Sequence, residues 1–226
     1  MVKAIVTDIE GTTTSLSFVK ETLFPYARAH LAEFVRSHAT DPQVKTLLKD
    51  TCKEAGVKLD TEQLIKQLIH WVDEDKKITP LKSLQGLIWE KGYKQGDFKG
   101  HLYQDAAENL KAWKAKGLNL YIYSSGSIYA QKLLFGHTEY GDLTPLFSGY
   151  FDTRIGGKKE KKSYNKIAQK LVCFPDKLLF LSDIKEELDA AREAGFKTVW
   201  LTRDSTPDPQ AEHQQVNTFD QINLKT

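Results

Sequence analysis

A chain of 226 residues, 40% of them hydrophobic, can bury a sizeable core as one domain with an insertion or as two small ones. Its 32 Lys and Arg nearly balance its 30 Asp and Glu, and the net +2 is spread along the chain, which gives no basic face for nucleic acid. The two cysteines, Cys52 and Cys173, lack metal-ligand spacing and suit a reducing compartment, and no apolar run is long enough to span a membrane. The amino terminus enters a strand at once rather than a signal peptide, so the expectation is a cytoplasmic monomer without nucleic-acid or membrane partners.

In chain order, an apolar strand beginning at Lys3 runs straight into Asp8 and Glu10, spaced i, i+2, with Gly11 allowing a sharp turn. Alternate strand residues share a face, which puts both carboxylates on one side while Ile9 turns to the core. Two acidic groups at the carboxyl edge of an α/β sheet lie where such sheets bind ligands and can share a divalent cation; alone, they read equally well as turn residues.

From 14 to 100 the sequence reads almost wholly helical. Helices are predicted from Pro25, placed at a first helical position, to 38, from 42 to 56, from 61 to 72, and from 79 to a stop at Gly92. These make a small bundle, a helical cap inserted into an α/β core formed by 1–13 and 101–226. Within it, Phe18, Trp89 and Tyr93 read as core packing, with an apolar substrate pocket the second reading.

After the cap, helix and strand signals alternate. A helix at 105–116 leads to a strand at 118–123, followed by Ser124-Ser125-Gly126-Ser127 and a helix through Ile128 and Leu134. Plain N-capping needs one Ser, so two in succession before Gly favour a phosphate site built from hydroxyls and backbone N–H groups. Next comes the basic loop Gly156-Gly157-Lys158-Lys159-Glu160-Lys161-Lys162, most of it a solvated charge run, from which one lysine can reach the carboxylates. A strand from Lys177 ends in Ser182-Asp183 before a helix at 186–194, where Asp183 is either that helix's N-cap or a third carboxylate at an equivalent sheet position, as an octahedral Mg2+ requires. A final strand is predicted at 197–202. The β-α-β alternation implies a three-layer α/β fold, a Rossmann-like parallel sheet between helices.

The order Asp-x-Glu-Gly-Thr, Ser-Ser-Gly, Gly-x-Lys and Leu-Ser-Asp-x-x-x-Glu resembles the haloacid dehalogenase superfamily of aspartate-nucleophile phosphatases. Within it, residues 8–14, Phe18-Val19-Lys20, Leu23-Phe24-Pro25-Tyr26, Leu84-Gln85-Gly86 and 123–136 resemble the enolase-phosphatases of the methionine salvage pathway, which carry Glu where most of the superfamily has Asp, as Glu10 does here. Asp204-Ser205-Thr206-Pro207 departs from the Pro-Gly-Asn of that family.

The resemblance implies Asp8 as nucleophile and, with Asp183 and the main-chain carbonyl of Glu10, as ligand to one Mg2+. It makes Ser124, Ser125 and Lys158 phosphate-binding groups, Lys158 also offsetting charge, and leaves the Glu10 side chain for proton transfer. Glu187, one turn beyond Asp183, reads first as an exposed helix residue and second as a group holding a metal-bound water. The implied reaction takes 2,3-diketo-5-methylthiopentyl-1-phosphate through enolisation and dephosphorylation to an acireductone. The same motifs also fit a general phosphatase, a phosphonatase-like hydrolase, or a binding protein that has kept the fold without turnover.

Overall fold

The computed structural model describes residues 1–203 and 205–224; Asp204, the first residue of the tail departure, lies outside them. In chain order the regular elements are β1 (Ala4–Thr7), α1 (Phe24–His38), α2 (Pro42–Ala55), α3 (Thr61–Asp73), α4 (Thr79–Gln95), α5 (Gln104–Ala115), β2 (Asn119–Tyr123), α6 (Ile128–Gly136), β3 (Phe147–Phe151), α7 (Lys161–Lys170), β4 (Leu178–Ser182), α8 (Lys185–Glu193), β5 (Lys197–Leu201) and β6 (Gln214–Val216). They fall into two compact units, Met1–Leu16 with Gly100–Thr226, and Ser17–Lys99, where the sequence reading set boundaries after residues 13 and 100.

The first unit is a six-stranded sheet of order β3-β2-β1-β4-β5-β6 with every pairing parallel. All four residues of β1 and all five of β4 are buried, the pattern of strands covered on both faces. Thr7 pairs in register with Ile122 and Leu181, so β1, β2 and β4 end level with one another. The chain order reverses at β1, the switch point at whose carboxyl side such sheets open a crevice. One face of the sheet packs a core that includes Tyr123, Tyr164, Phe180, Leu188 and Phe196. Two strands escaped the sequence reading. In β3, Ser148 and Gly149 interrupt the apolar run, and β6 has only Gln214-Gln215-Val216; both are edge strands, where pairing carries what propensity does not.

The second unit packs α1 to α4 around Leu31, Leu68, Leu81, Leu84 and Ile88. Asp60 and Gln63 close a reciprocal capping box on α3. Tyr93 is buried, and Trp89 packs on this core while donating its indole N–H to the Leu23 carbonyl at 2.7 Å, the packing role the sequence favoured. Pro25 lies in the first turn of α1, as predicted, and a π-helical turn, Phe18–Leu23, leads directly into that helix. The predicted end of α4 is corrected: the helix does not stop at Gly92. It continues to Gln95 and ends at Gly96, whereas Gly92 is a point of close approach, since a β-carbon there would meet Phe98 Cε1 at 2.5 Å and Tyr26 Cε1 at 2.8 Å.

That contact reverses a sign. Helix propensity alone favours Gly92→Ala by about 1 kcal/mol, but forcing apart two packed rings costs about 1–3 kcal/mol. Urea denaturation of the Gly92→Ala protein should therefore show a net loss of stability; a gain would mean that the rings yield freely.

Candidate active site

Three side chains meet the crevice from the residue immediately after a strand: Asp8 after β1, Ser124 after β2 and Asp183 after β4. Asp8 keeps the sheet pairing for one more step, its N–H donating to the Leu181 carbonyl at 2.9 Å. The chain then turns tightly, with the N–H groups of Thr12, Thr13 and Thr14 all directed to the Ile9 carbonyl at 3.2, 2.9 and 2.9 Å. Ile9 is buried, as its place between the carboxylates suggested; Asp8 is buried and Glu10 exposed. Gly11 has a φ of +72°, and a β-carbon on it would collide with the Asp183 carboxylate, so the turn requires glycine twice over.

Lys158 is the centre of the site. Its ammonium lies 2.6 Å from Asp8 Oδ1 and 2.7 Å from Glu187 Oε2, with 6% of its side chain exposed. Two buried tyrosines fix its loop: Tyr164 donates its hydroxyl to the Lys158 carbonyl at 2.6 Å and Tyr123 to the Gly156 carbonyl at 2.9 Å. Burial holds Tyr123 up at about 12 and raises Tyr164 as well, so both phenols remain donors. Burial pulls the Lys158 ammonium down, but Asp8 and Glu187 outweigh it, and the net shift is upward. Lys158 is therefore a charged partner for anions rather than a neutral amine.

The negative side of the site is in excess. Burial, then repulsion from Asp8, raises the Asp183 carboxyl to about 7, and the same two causes raise Glu187 despite its contact with Lys158. Thr12 Oγ1 donates weakly to Asp183 Oδ1 at 3.4 Å, and Ser182 Oγ donates to Glu187 Oε2 at 2.9 Å. Two buried carboxylates thus share one ammonium, with the largely buried Asp183 carboxylate beside Asp8. Among the described residues no group of three or more His, Cys, Asp and Glu side chains forms a cage by itself. That donor set fits Mg2+, which binds through one or two carboxylates and fills its other positions with carbonyl, water and phosphate oxygens.

The serine loop resolves the capping question. Ser127 is the N-cap of α6, accepting from the Ala130 N–H at 3.2 Å, so neither Ser124 nor Ser125 has that duty. Ser124 is buried, its N–H donating to the Phe151 carbonyl at 3.2 Å and its Oγ accepting from the Gly126 N–H at 3.1 Å; Ser125 is exposed. Asp183 is likewise no N-cap: α8 begins at Lys185 after Ile184. The first reading of Glu187 as an exposed helix residue is overturned, because α8 turns it inward to Lys158 and Ser182.

Several supports lay beyond the sequence reading. Ser182, Tyr123 and Tyr164 pass for ordinary strand and helix residues. Gln131 looks like a surface helix position, yet it is buried and its amide donates to the Gly126 and Phe151 carbonyls at 2.8 and 2.9 Å, which fixes the serine loop.

The other lysines of the basic loop, Lys159, Lys161 and Lys162, are exposed, Lys162 pairing with Glu160 at 2.9 Å. Lys158→Ala should cut phosphate release by about 10²–10³-fold, as loss of a charge-stabilising donor does, while Ala at 159, 161 or 162 should change it less than about twofold. Steady-state assays of the four variants check this.

The model of the haloacid dehalogenase-like hydrolases matches residues 2–195. The enolase-phosphatase E1 of Methylococcus capsulatus is 60% identical over 223 residues, covering 98% of both chains, and that of Serratia proteamaculans is 56% identical over 99% of this chain and 98% of its own. The crystal structure of the UTR4 protein from Saccharomyces cerevisiae, 35% identical, superposes with a TM-score of 0.85 over 98% of this chain and 100% of that one. Fold, motif positions and relatives agree, and the chain belongs to the enolase-phosphatases among the haloacid dehalogenase-like hydrolases.

Proposed function

We propose that the chain is an enolase-phosphatase, an acireductone synthase that converts 2,3-diketo-5-methylthiopentyl-1-phosphate to 1,2-dihydroxy-3-keto-5-methylthiopentene and phosphate. The observation that carries the phosphatase part is Asp8 held against the buried Lys158 beside Asp183, at the carboxyl ends of adjacent strands. The enolase part rests on Glu10 and on the names of the relatives.

In this reading the Glu10 carboxylate, exposed where Asp8 is buried, takes a proton from the substrate carbon that bears the phosphate ester, and an enol forms. An Asp8 oxygen then attacks phosphorus; the Asp8–phosphorus bond forms as the ester P–O bond breaks, and the ester oxygen leaves with the bonding electrons and is protonated to become the second hydroxyl of the product. Water hydrolyses the aspartyl-phosphate, restoring Asp8. Lys158 offsets the repulsion between this carboxylate and the phosphoryl oxygens, which Ser124 and Ser125 also bind. Glu187 and Ser182 keep the Lys158 ammonium in place. Asp8, Asp183 and the Glu10 main-chain carbonyl would hold Mg2+, which supplies positive charge to the phosphoryl and enolate oxygens. The protein is expected to act in the cytoplasm as a monomer.

The order of blockage tests the assignment. Under anaerobic conditions with ultraviolet detection, Asp8→Asn should form enol yet release phosphate at less than about a tenth of the normal rate. Glu10→Gln should stop enol formation itself; enol appearing at the wild-type rate in that variant would assign the base elsewhere. Simple phosphate esters turned over as well as the diketo phosphate would instead indicate a general phosphatase. Mg2+ should support turnover and Ca2+ should bind without it, because Ca2+ readily takes a carboxylate through both oxygens and would leave Asp8 none for attack. Comparable rates in the two ions would separate the ligand and nucleophile roles.

A further inference from the structure

Arg203, two residues beyond β5, carries a largely buried charge outside the reaction chemistry. Its side chain is 9% exposed and lies over the Tyr103 ring at 4.0 Å. Nη1 takes both oxygens of Asp105 at 2.9 and 2.8 Å, while Nη2 and Nε donate to the Thr12 carbonyl at 2.7 and 3.2 Å. Asp105, 14% exposed, also accepts from the Phe219 N–H at 2.7 Å, so its place is fixed from a third direction. The arginine's charge is matched by Asp105, which makes it a poor reserve site for phosphate.

Thr12 belongs to the turn that carries Asp8 and Glu10. The N–H groups of that turn converge on the Ile9 carbonyl, and Gly11 N–H goes to the Thr14 carbonyl at 2.8 Å. The Thr12 carbonyl is held instead by two guanidinium bonds, and the same residue's hydroxyl meets Asp183. Arg203 also has a φ of 21°, where L-residues are rarely found, and such strain persists only where surrounding contacts over-determine it.

We propose that Arg203 is a positioning residue for the nucleophile turn: its fork on Asp105 and the Thr12 carbonyl holds residues 9–14 in the arrangement that aims Asp8 and Glu10 and keeps Thr12 beside Asp183. The guanidinium spans the carboxylate and the carbonyl with separate nitrogens of one rigid plane; a lysine keeps the charge but has a single nitrogen and loses the fork. The proposal rests on the phosphatase reading for its consequence, but its first readout needs no substrate, so either can fail alone.

The test compares Arg203→Lys with Asn109→Ala. Asn109 donates to the Asp105 carbonyl at 2.9 Å and to Asp220 at 2.6 Å, tying α5 to the tail without touching the turn. In Arg203→Lys the Thr12, Thr13 and Thr14 amides should exchange with solvent at least about tenfold faster, and kcat should fall about tenfold or more with KM within about threefold, the cost of a small misplacement of reacting groups. Asn109→Ala should lower Tm with neither effect. Should Arg203→Lys not fold, the double variant Arg203→Gln/Asp105→Asn, which removes the fork without leaving an unpaired buried carboxylate, is read in the same way. Wild-type exchange in the turn of the Arg203 variant, or a kcat loss matched by Asn109→Ala at equal loss of Tm, overturns the proposal and leaves Arg203 a staple of the fold.

Discussion

The site depends on one buried ammonium between two carboxylates. Lys158 joins a residue that follows β1 to one on α8, and the tyrosines of β2 and α7 hold its loop from behind. Such a bridge is weak evidence for stability, because desolvating three charged groups costs several kcal/mol for each ion. Its value is geometric and electrostatic. A single positive charge fixes Asp8 in place, while burial, with repulsion from Asp8 second, raises the Asp183 and Glu187 carboxyls. A surplus of carboxylates at one sheet edge is the kind of donor set that suits a divalent cation.

The sheet makes this arrangement without long connections. Since β2, β1 and β4 are neighbours that end level, the residues just beyond them are brought to one edge, and loops of only a few residues lead from each of β2 and β4 to the next helix. Parallel strands covered on both faces are stiff, so the short loops inherit fixed positions and the variable chemistry is confined to them. Side-chain bonds then fix the loops individually: Gln131 on the serine loop, Tyr123 and Tyr164 on the lysine loop, Ser182 on Glu187 and Arg203 on the nucleophile turn.

The helical unit keeps a separate core, with buried leucines from α1, α3 and α4 and a capping box of its own. In sequence it interrupts the chain between the first strand and the second, yet β1 still pairs with β2 and β4 across that interruption. The inserted unit lies between β1 and α5 and takes no strand from the sheet.

The sequence by itself determined what is local or periodic. Apolar strands ending in Asp8, Ser124 and Asp183, and amphipathic helices with Pro near their starts, follow from alternation, helical period and turn chemistry, and they suffice for the fold class and the candidate residues. The resemblance of the motifs added an order of events that no spacing contains. What only the tertiary structure decided is which polar groups meet. Glu187 looks like any glutamate in the first turn of a helix until α8 packs and turns it to Lys158; Gln131, Arg203 and Asp105 carry no local mark, because their partners lie 5 to 191 residues away in the chain. Gly92 reads as a helix stop because the rings that require it, from α1 and from beyond α4, are adjacent only in the folded unit. Propensity and pattern act within one element, whereas burial and charge pairing are properties of the whole assembly of elements.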